Sequence, residues 1–517
     1  MYVLLILLVS IYYSLVDGFG LHGFTFKGLD EPQILDTRTK DVHEKWLIQP
    51  LDHFNSRDNN LWHMRYYENA AFVTQTGPIL IMLGGEWEIK PNFLTNGLMY
   101  DIAVAHGAMM YYTEHRYYGK SKPIQNISEE NLQYLNVDQA LADIAYFIER
   151  MKRNLGKENA KVIVFGGSYA GNMAVWARLK YPHLIQGAVA SSAPIYAKAN
   201  FYEYNEIVAR SLQNYDEQCP IDIKAAFDSV KELLTDNGGA KKLKTYFNLC
   251  KVPNVKSNND VSHLINIFIE KFAGIVQYNK NQDGNKSDIS VCCDNMTATY
   301  LGSPLQRLAR LLSKDDGSCL DTSYEQFISR HRNISWSSDS IIRRWYYQTC
   351  TEYGYYSTTD SKDSIFGSLV PLDYFLNICV NLYGNYYDGN FLKSRIERTN
   401  LIYGGYKPDI TNVIFTNGDV DPWHKLSVLL DLNESTPTIL IKGASHCQDL
   451  MNDLPTDLPD LREARKTGKQ FEEFQSTSSF LKEPLMPLII LSLDPTLEQP
   501  NPCFKADTAP SRAFSEY

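Results

Sequence analysis

The chain has 517 residues, of which 44% are hydrophobic and 21% are charged, a balance typical of a globular protein with a substantial core. Lysine and arginine total 50 against 60 acidic residues, so the formal charge at pH 7 is −10. Because a nucleic-acid binding protein needs a basic surface, this charge argues against a general nucleic-acid partner.

The N-terminus has the pattern of a secretory signal peptide, which we predict over residues 1–18. Residues 4–9 are continuously apolar and the stretch stays mostly apolar to Val16, although the usual basic n-region is missing. The apolar run is short for a membrane span, so we expect no stable membrane insertion after its removal; an uncleaved anchor is the alternative. At the other end, residues 484–517 are rich in Pro, Ser and Thr and predict a mobile tail.

The cysteines and glycosylation sequons agree with a lumenal destination. Nine cysteines are present with no C-x-x-C pair, so we expect mostly disulfides, with at least one cysteine unpaired within the chain. Five Asn-x-Ser/Thr sequons are candidate glycosylation sites: Asn126, Asn285, Asn295, Asn333 and Asn433. The sequence therefore predicts a glycoprotein that is secreted or resides in the lysosomal or endosomal lumen.

Apolar runs and helical periodicities alternate along the chain. The predicted strands are residues 78–83, 107–113, 162–165, 187–192, 412–416 and 438–442, and the predicted helices between them include 137–153 and 169–180. This alternation predicts an α/β domain with a mostly parallel sheet, formed by residues 40–200 and 391–483. Residues 201–390 carry helical spacing and predict a mostly helical insertion into that domain.

The most informative stretch surrounds Ser168. It follows the buried-strand run of residues 162–165 and two glycines, and it precedes the predicted helix of residues 169–180. A serine between a buried strand and a helix start is the arrangement of a nucleophile elbow, with Gly166 and Ala170 as the small neighbours that a tight turn requires. The elbow directs the backbone N–H of Tyr169 toward a developing oxyanion. A glycine-rich turn with a capping serine is the alternative.

Polar groups follow the last two predicted strands. Asp419 and Asp421 come after one of them, and His446 comes after the other. Because reactive groups lie beyond the carboxyl ends of parallel strands, a serine, an aspartate and a histidine can meet there. Their order along the chain is that of the α/β-hydrolase fold, in which histidine takes the serine proton and a carboxylate orients the imidazole. Either aspartate fits that role.

The second oxyanion donor is expected in the loop after the strand of residues 78–83. Gly84 and Gly85 stand there, and a backbone N–H can approach a substrate closely at a glycine. An ordinary glycine turn is the alternative.

Several motifs resemble the serine peptidase family of lysosomal Pro-X carboxypeptidase, dipeptidyl peptidase II and thymus-specific serine protease. They cover residues 45–455 in order and include QPLDHF (49–54), GGE (84–86), EHRYYG (114–119), GGSYAG (166–171), TCTEYG (349–354) and DPW (421–423), with His446 last. In this family the catalytic acid precedes Pro-Trp, so the resemblance selects Asp421. It implies a catalytic triad of Ser168, Asp421 and His446, with the insertion as a cap that narrows the active site.

The resemblance also carries expectations about binding and bonding. It implies a Cys350–Cys379 disulfide and a preference for proline before the cleaved bond, with Trp423 as an apolar pocket wall and Glu86 as a substrate-binding residue. Asn172 stands where an apolar residue is common and makes the pocket more polar. Cys447 after the catalytic histidine is similar to the thymus-specific branch. No metal or organic cofactor is implied, and because family members often form dimers, a homodimer is an assembly that the resemblance allows.

These observations predict a serine-type exopeptidase, acting as a carboxypeptidase or dipeptidyl-peptidase on short or terminal peptides through an acyl-enzyme. Two alternatives remain open. One is a lumenal peptide-binding protein with the same fold and little turnover. The other is an esterase or lipase, which the elbow alone does not exclude.

Overall fold

We describe a computed structural model covering residues 20–21, 24–25, 29, 31–32, 40–282, 286–314, 316–337 and 339–476. The predicted signal peptide, the predicted C-terminal tail and the sequon at Asn285 lie outside these residues.

A sheet of eight strands forms the centre of the protein. The strands are β1 (Val42–Pro50), β2 (Leu61–Asn69), β3 (Ile79–Leu83), β4 (Met109–Thr113), β5 (Val162–Gly167), β6 (Gly187–Ser191), β7 (Val413–Gly418) and β8 (Thr438–Ile441). Their spatial order is β8-β7-β6-β5-β3-β4-β2-β1. β1 and β2 pair antiparallel, β2 pairs antiparallel with β4, and all other pairs are parallel.

The sequence explains why the parallel part lies inside. Every residue of β3, β4, β5, β6 and β7 is buried, as expected for strands covered by helices on both faces. The first two strands instead expose alternate residues of one face over part of their length, because they lie at the sheet edge. This strand order, with crossovers through helices, is the α/β-hydrolase fold and confirms the predicted fold class.

Four helices lie among the first six strands: α1 (Leu98–His106), α2 (Glu129–Leu132), α3 (Val137–Leu155) and α4 (Tyr169–Lys180). Asn136 caps α3 by accepting a hydrogen bond from the backbone of Gln139, and Gly156 ends it in the left-handed conformation. A last helix, α15 (Pro459–Ser476), follows β8.

Among the described residues, ten α-helices lie between β6 and β7. They are α5 (Glu203–Tyr215), α6 (Gln218–Thr235), α7 (Gly239–Tyr246), α8 (Asn258–Gln277), α9 (Asp288–Thr297), α10 (Pro304–Leu311), α11 (Tyr324–His331), α12 (Ser340–Gln348), α13 (Leu372–Tyr383) and α14 (Gly389–Tyr403). One turn of π-helix, Thr349–Tyr353, continues α12 and leads to a short strand, Gly354–Tyr356, which pairs in parallel with Lys198–Asn200.

Three disulfides cross-link this helical segment: Cys219–Cys293, Cys250–Cys319 and Cys350–Cys379. The last is the pair that the family resemblance implies. Among the described cysteines, Cys292 and Cys447 are unpaired and buried. In the described part of the chain, no helix combines the length and the hydropathy needed for a bilayer span.

Candidate active site

Ser168 lies in the sharp turn between β5 and α4. Its backbone has φ 58° and ψ −133°, a conformation that costs energy for any residue other than glycine. The turn is tight because a Cβ on Gly166 would lie 2.0 Å from the carbonyl oxygen of Ala170. The small residues of this motif are therefore required by backbone contact, as the sequence indicates. The hydroxyl Oγ of Ser168 is buried and makes no hydrogen bond to any described residue.

His446 and Asp421 form a buried pair at the same edge of the sheet. The imidazole Nδ1 lies 2.8 Å from Oδ2 of Asp421, and neither side chain is more than 2% exposed. Burial by itself would lower the pKa of His446, but the neighbouring Asp421 carboxylate and the Cys447 side chain together more than offset it, so the pKa lies well above its usual value. The carboxylate also fixes which ring nitrogen carries the proton, leaving Nε2 able to accept one.

The loop that carries His446 is anchored beside the elbow. The backbone N–H of Cys447 donates to Ser192 Oγ at 3.0 Å, and a Cβ on Gly167 would lie 2.9 Å from the Cys447 sulfur. The residue after the histidine thus packs against the residue before Ser168. The structure therefore brings Ser168, Asp421 and His446 to one site, although Ser168 lies more than 250 residues before the other two in the chain.

The two aspartates after β7 have different partners. Asp419 accepts a hydrogen bond from the backbone N–H of Gly443 at 2.7 Å and so stabilises the turn after β8. Asp421 caps the following 3₁₀-helix, Pro422–Leu426, through the N–H of Trp423, and its other oxygen faces His446. Only Asp421 has the geometry of a triad carboxylate, which is the choice that the Pro-Trp motif implied.

The two predicted oxyanion donors flank the elbow. Tyr169 begins α4 immediately after Ser168, and Gly85 follows β3, which is the strand next to β5. A Cβ on Gly85 would lie 2.3 Å from the ring of Trp87, so a larger residue does not fit there. Because both residues follow neighbouring parallel strands, their backbone N–H groups lie at the carboxyl edge of the sheet that also holds Ser168.

Glu86 introduces a buried carboxyl next to Gly85. It is 4% exposed, and its Oε2 has no hydrogen-bond partner among the described residues. Burial raises the pKa of Glu86 to about 7, and the positive charge of His446 opposes that rise. The carboxyl of Glu86 interacts electrostatically with His446. Its unused oxygen is available to contact a bound molecule.

Trp423 forms an aromatic wall beside His446. Its ring contacts those of Phe201, Tyr204 and Tyr355 at centroid distances of 5.5 to 5.6 Å. Its indole N–H donates to Oε1 of Gln277 at 2.9 Å.

Gln277 is a site residue that the sequence reasoning missed. It ends α8, its backbone oxygen accepts from the N–H of His446 at 3.1 Å, and its side chain also accepts from Tyr204. In sequence it belongs to an amphipathic helix far from every motif, so no local signal marks it.

Asn172 lies one helical turn after Ser168 and is fully buried. Its amide nitrogen donates to the Pro194 carbonyl at 3.1 Å and to the Tyr355 hydroxyl at 3.2 Å, while its Oδ1 has no partner among the described residues. Asn172 therefore holds an unused acceptor one helical turn after Ser168.

An elbow serine beside a buried histidine–aspartate pair on this fold defines a serine hydrolase. Residues 49–467 match the protein family described as Serine carboxypeptidase S28, which narrows the class of hydrolase. The chain belongs to this family of serine peptidases, and it is an enzyme that acts on peptides.

The chain is also similar to curated relatives and, at much lower identity, to solved structures. The chain is 35% identical to thymus-specific serine protease of Mus musculus over 448 residues, 83% of this chain and 87% of the relative. It is 28% identical to lysosomal Pro-X carboxypeptidase of Homo sapiens over 441 residues, 81% of this chain and 85% of the relative. The crystal structure of proline iminopeptidase from Mycobacterium smegmatis aligns with a TM-score of 0.34 and 11% identity, covering 84% of this chain and 99% of that one.

Proposed function

We propose that this protein is a serine exopeptidase of the secretory or lysosomal lumen that cleaves short or terminal peptides, preferentially after proline. The observation that carries the proposal is the 2.8 Å contact between His446 and Asp421 beside the strained elbow of Ser168. The lumenal assignment is supported by the predicted signal peptide and by three disulfides.

The chemistry follows from the positions of these groups. Ser168 Oγ attacks the scissile carbonyl while His446 Nε2 takes the hydroxyl proton, and Asp421 stabilises the imidazolium that forms. The N–H groups of Tyr169 and Gly85 stabilise the oxyanion. His446 then gives the proton to the leaving amine, and a water molecule that it activates releases the acyl group from Ser168.

The preference for short substrates is supported by the helical segment between β6 and β7, which packs around the site of His446. Gln277 and Tyr355 belong to the helical segment between β6 and β7, and they contact Trp423 and Asn172. Because this segment packs directly against the site, it leaves a polypeptide chain little room to pass through, and we infer that it is the cap.

The preference for proline is supported by the aromatic surfaces at Trp423. Flat aromatic walls suit a pyrrolidine ring, which is apolar and rigid. The name of one relative, lysosomal Pro-X carboxypeptidase, points in the same direction. Glu86 and Asn172 provide the acceptors that contact the substrate's N–H or terminal groups.

The first test is labelling with a fluorophosphonate probe, which reacts with activated serines. Wild-type protein should label, Ser168→Ala should not, and Ser211→Ala should label as a matched control because it removes a buried serine of α5, outside the site. Equal labelling of wild type and Ser168→Ala would refute the assignment of the nucleophile. Wild-type protein that binds peptides but neither labels nor cleaves them would favour a binding protein.

The second test determines which bond is cleaved. Peptides with proline or alanine before the scissile bond, each with a free or blocked N-terminus and a free or amidated C-terminus, are incubated together and the products identified by mass spectrometry. The expected result is that cleavage requires one free terminus and is faster with proline than with alanine before the scissile bond. Cleavage within blocked peptides would exclude an exopeptidase, and faster turnover of short acyl esters than of any peptide would favour an esterase.

A further inference from the structure

Two sequence motifs lie outside the triad, EHRYYG (114–119) and TCTEYG (349–354), and both reach the side chain of Tyr169. His115 Nε2 lies 3.1 Å from the Tyr169 hydroxyl, and Tyr353 contacts the same hydroxyl at 3.4 Å. Gln348, just before the second motif, donates to it at 2.9 Å. Tyr169 is the residue whose backbone N–H faces the proposed oxyanion.

The direction of each hydrogen bond can be assigned from the donors available. His115 Nδ1 lies 2.6 Å from the carbonyl oxygen of Arg116, which only accepts, so Nδ1 carries the proton and Nε2 accepts from Tyr169. Burial lowers the pKa of His115 to about 4, which keeps the ring neutral. The Tyr169 hydroxyl therefore donates to His115 and accepts from Gln348 and Tyr353.

The partners of Tyr169 are fixed in turn. Oε1 of Gln348 accepts from the Tyr118 hydroxyl at 2.6 Å, which links the second motif back to the first. The π-helix Thr349–Tyr353 is joined to α13 by the Cys350–Cys379 disulfide. Gly354 after it has φ 74° and lies so close to the strand Lys198–Asn200 that a Cβ would be 2.6 Å from the Cα of Ala199. A π-helical turn is a costly feature that often lies at functional sites.

The same face of α4 makes two further contacts with this region. Asn172 bonds to Tyr355, and the ring of Trp176 stacks on Tyr403 at 4.4 Å and on Tyr353 at 6.0 Å. Tyr169, Asn172 and Trp176 are spaced by three and four residues, so one face of the elbow helix rests on the helical segment. The start of α4 is thus held from the cap side as well as from the sheet.

We propose that the Tyr169 hydroxyl is a positioning group that locks the oxyanion donor to the helical segment through Gln348 and Tyr353, and to the loop after β4 through His115. This inference rests on the proposed function, because it assigns the Tyr169 N–H to the oxyanion hole. A small displacement of that N–H weakens its bond to the oxyanion, which exists only in the transition state. Loss of the lock therefore lowers kcat and leaves KM nearly unchanged.

The test compares Tyr169→Phe, Gln348→Leu and the double variant with wild type. Complete loss of one oxyanion donor costs about 100- to 1000-fold in kcat, so displacement of a donor that remains should cost less, about 10-fold, with little change in KM. Tyr169→Phe and Gln348→Leu both remove the hydrogen bond between these two side chains. The kcat of the double variant should therefore be close to that of either single variant, and the two losses should not multiply. Gln348 lies on α12. If Tyr169→Phe does not fold, Gln348→Leu tests the same hydrogen bond.

Tyr403→Phe is the matched control. It removes a buried hydroxyl that donates to Asp138 at 2.5 Å, and its ring stacks on the same helix, but it does not reach Tyr169. Its kcat should stay within about two-fold of wild type even if its stability falls. The end point of fluorophosphonate labelling should be complete for all four variants, while the labelling rate falls only in those that lack the lock.

Two outcomes would overturn the inference: a kcat for Tyr169→Phe equal to that of Tyr403→Phe, or a loss that appears only in KM. A wild-type protein that neither labels nor cleaves would instead refute the proposed function, so the two failures are distinguishable.

Discussion

The buried carboxyl of Glu86 provides a quantitative test of the site's electrostatics. In the unfolded chain this group has the ordinary glutamate pKa of 4.5, and in the folded protein burial raises the pKa to about 7. Below pH 4.5 both states hold the proton. As the pH rises to 7, the unfolded state releases the proton while the folded state keeps it, so the contribution of Glu86 to stability falls with rising pH and is lost above about 7.

The size of the effect follows from the two pKa values. Each pKa unit corresponds to about 1.4 kcal/mol, so the rise from 4.5 to about 7 costs the folded state about 3 kcal/mol once Glu86 is ionised. Glu86→Gln keeps the shape and removes the ionisation. The variant should match wild type within about 1 kcal/mol at pH 4.5 and should be more stable by about 3 kcal/mol at pH 8.

Urea unfolding followed by tryptophan fluorescence at the two pH values measures this difference, because other titrating groups are common to both proteins and cancel. Glu88→Gln, which removes an exposed carboxylate two residues further along, is the matched control for the loss of a negative charge in the same loop. A Glu86→Gln difference that is the same at both pH values would refute the argument that the burial of Glu86 outweighs the interactions that stabilise its charge.

Three further predictions concern the triad, the elbow and a disulfide. Asp421→Asn should lower kcat by about 10⁴-fold because the imidazole loses its orienting carboxylate, whereas Asp419→Asn should retain activity in the same peptide assay; equal losses would contradict the assignment. Gly166→Ala forces a Cβ to within 2.0 Å of a backbone oxygen and should cost at least about 2 kcal/mol in unfolding experiments. Gly274 lies in a helix with open space around it, so Gly274→Ala should leave stability unchanged or raise it. A larger loss of stability in Gly274→Ala than in Gly166→Ala would show that the elbow is not tight. Cys350→Ser opens a cross-link between residues 29 apart and should cost about 3 kcal/mol, and an unchanged melting temperature would argue against that pairing.

Local patterns were sufficient to predict the elements around the nucleophile. The buried run before Ser168 and the helix after it were readable because strand burial, small turn residues and helical spacing all occur within about twenty neighbouring residues. The same holds for the strands before Asp421 and His446. Their order along the chain was enough to predict the α/β-hydrolase fold, which the strand topology confirms.

The sequence by itself therefore determined the fold class and which residue types could react, because periodicity and short motifs are local properties of the chain. The resemblance carried by the Pro-Trp motif already favoured Asp421 over Asp419, and the tertiary structure added the direct contact between Asp421 and the imidazole of His446. The tertiary structure alone brought Gln277 against His446 and joined two distant motifs at the Tyr169 hydroxyl. Such contacts depend on packing between segments that are 54 to 184 residues apart in the chain, and no pattern within a short window encodes them.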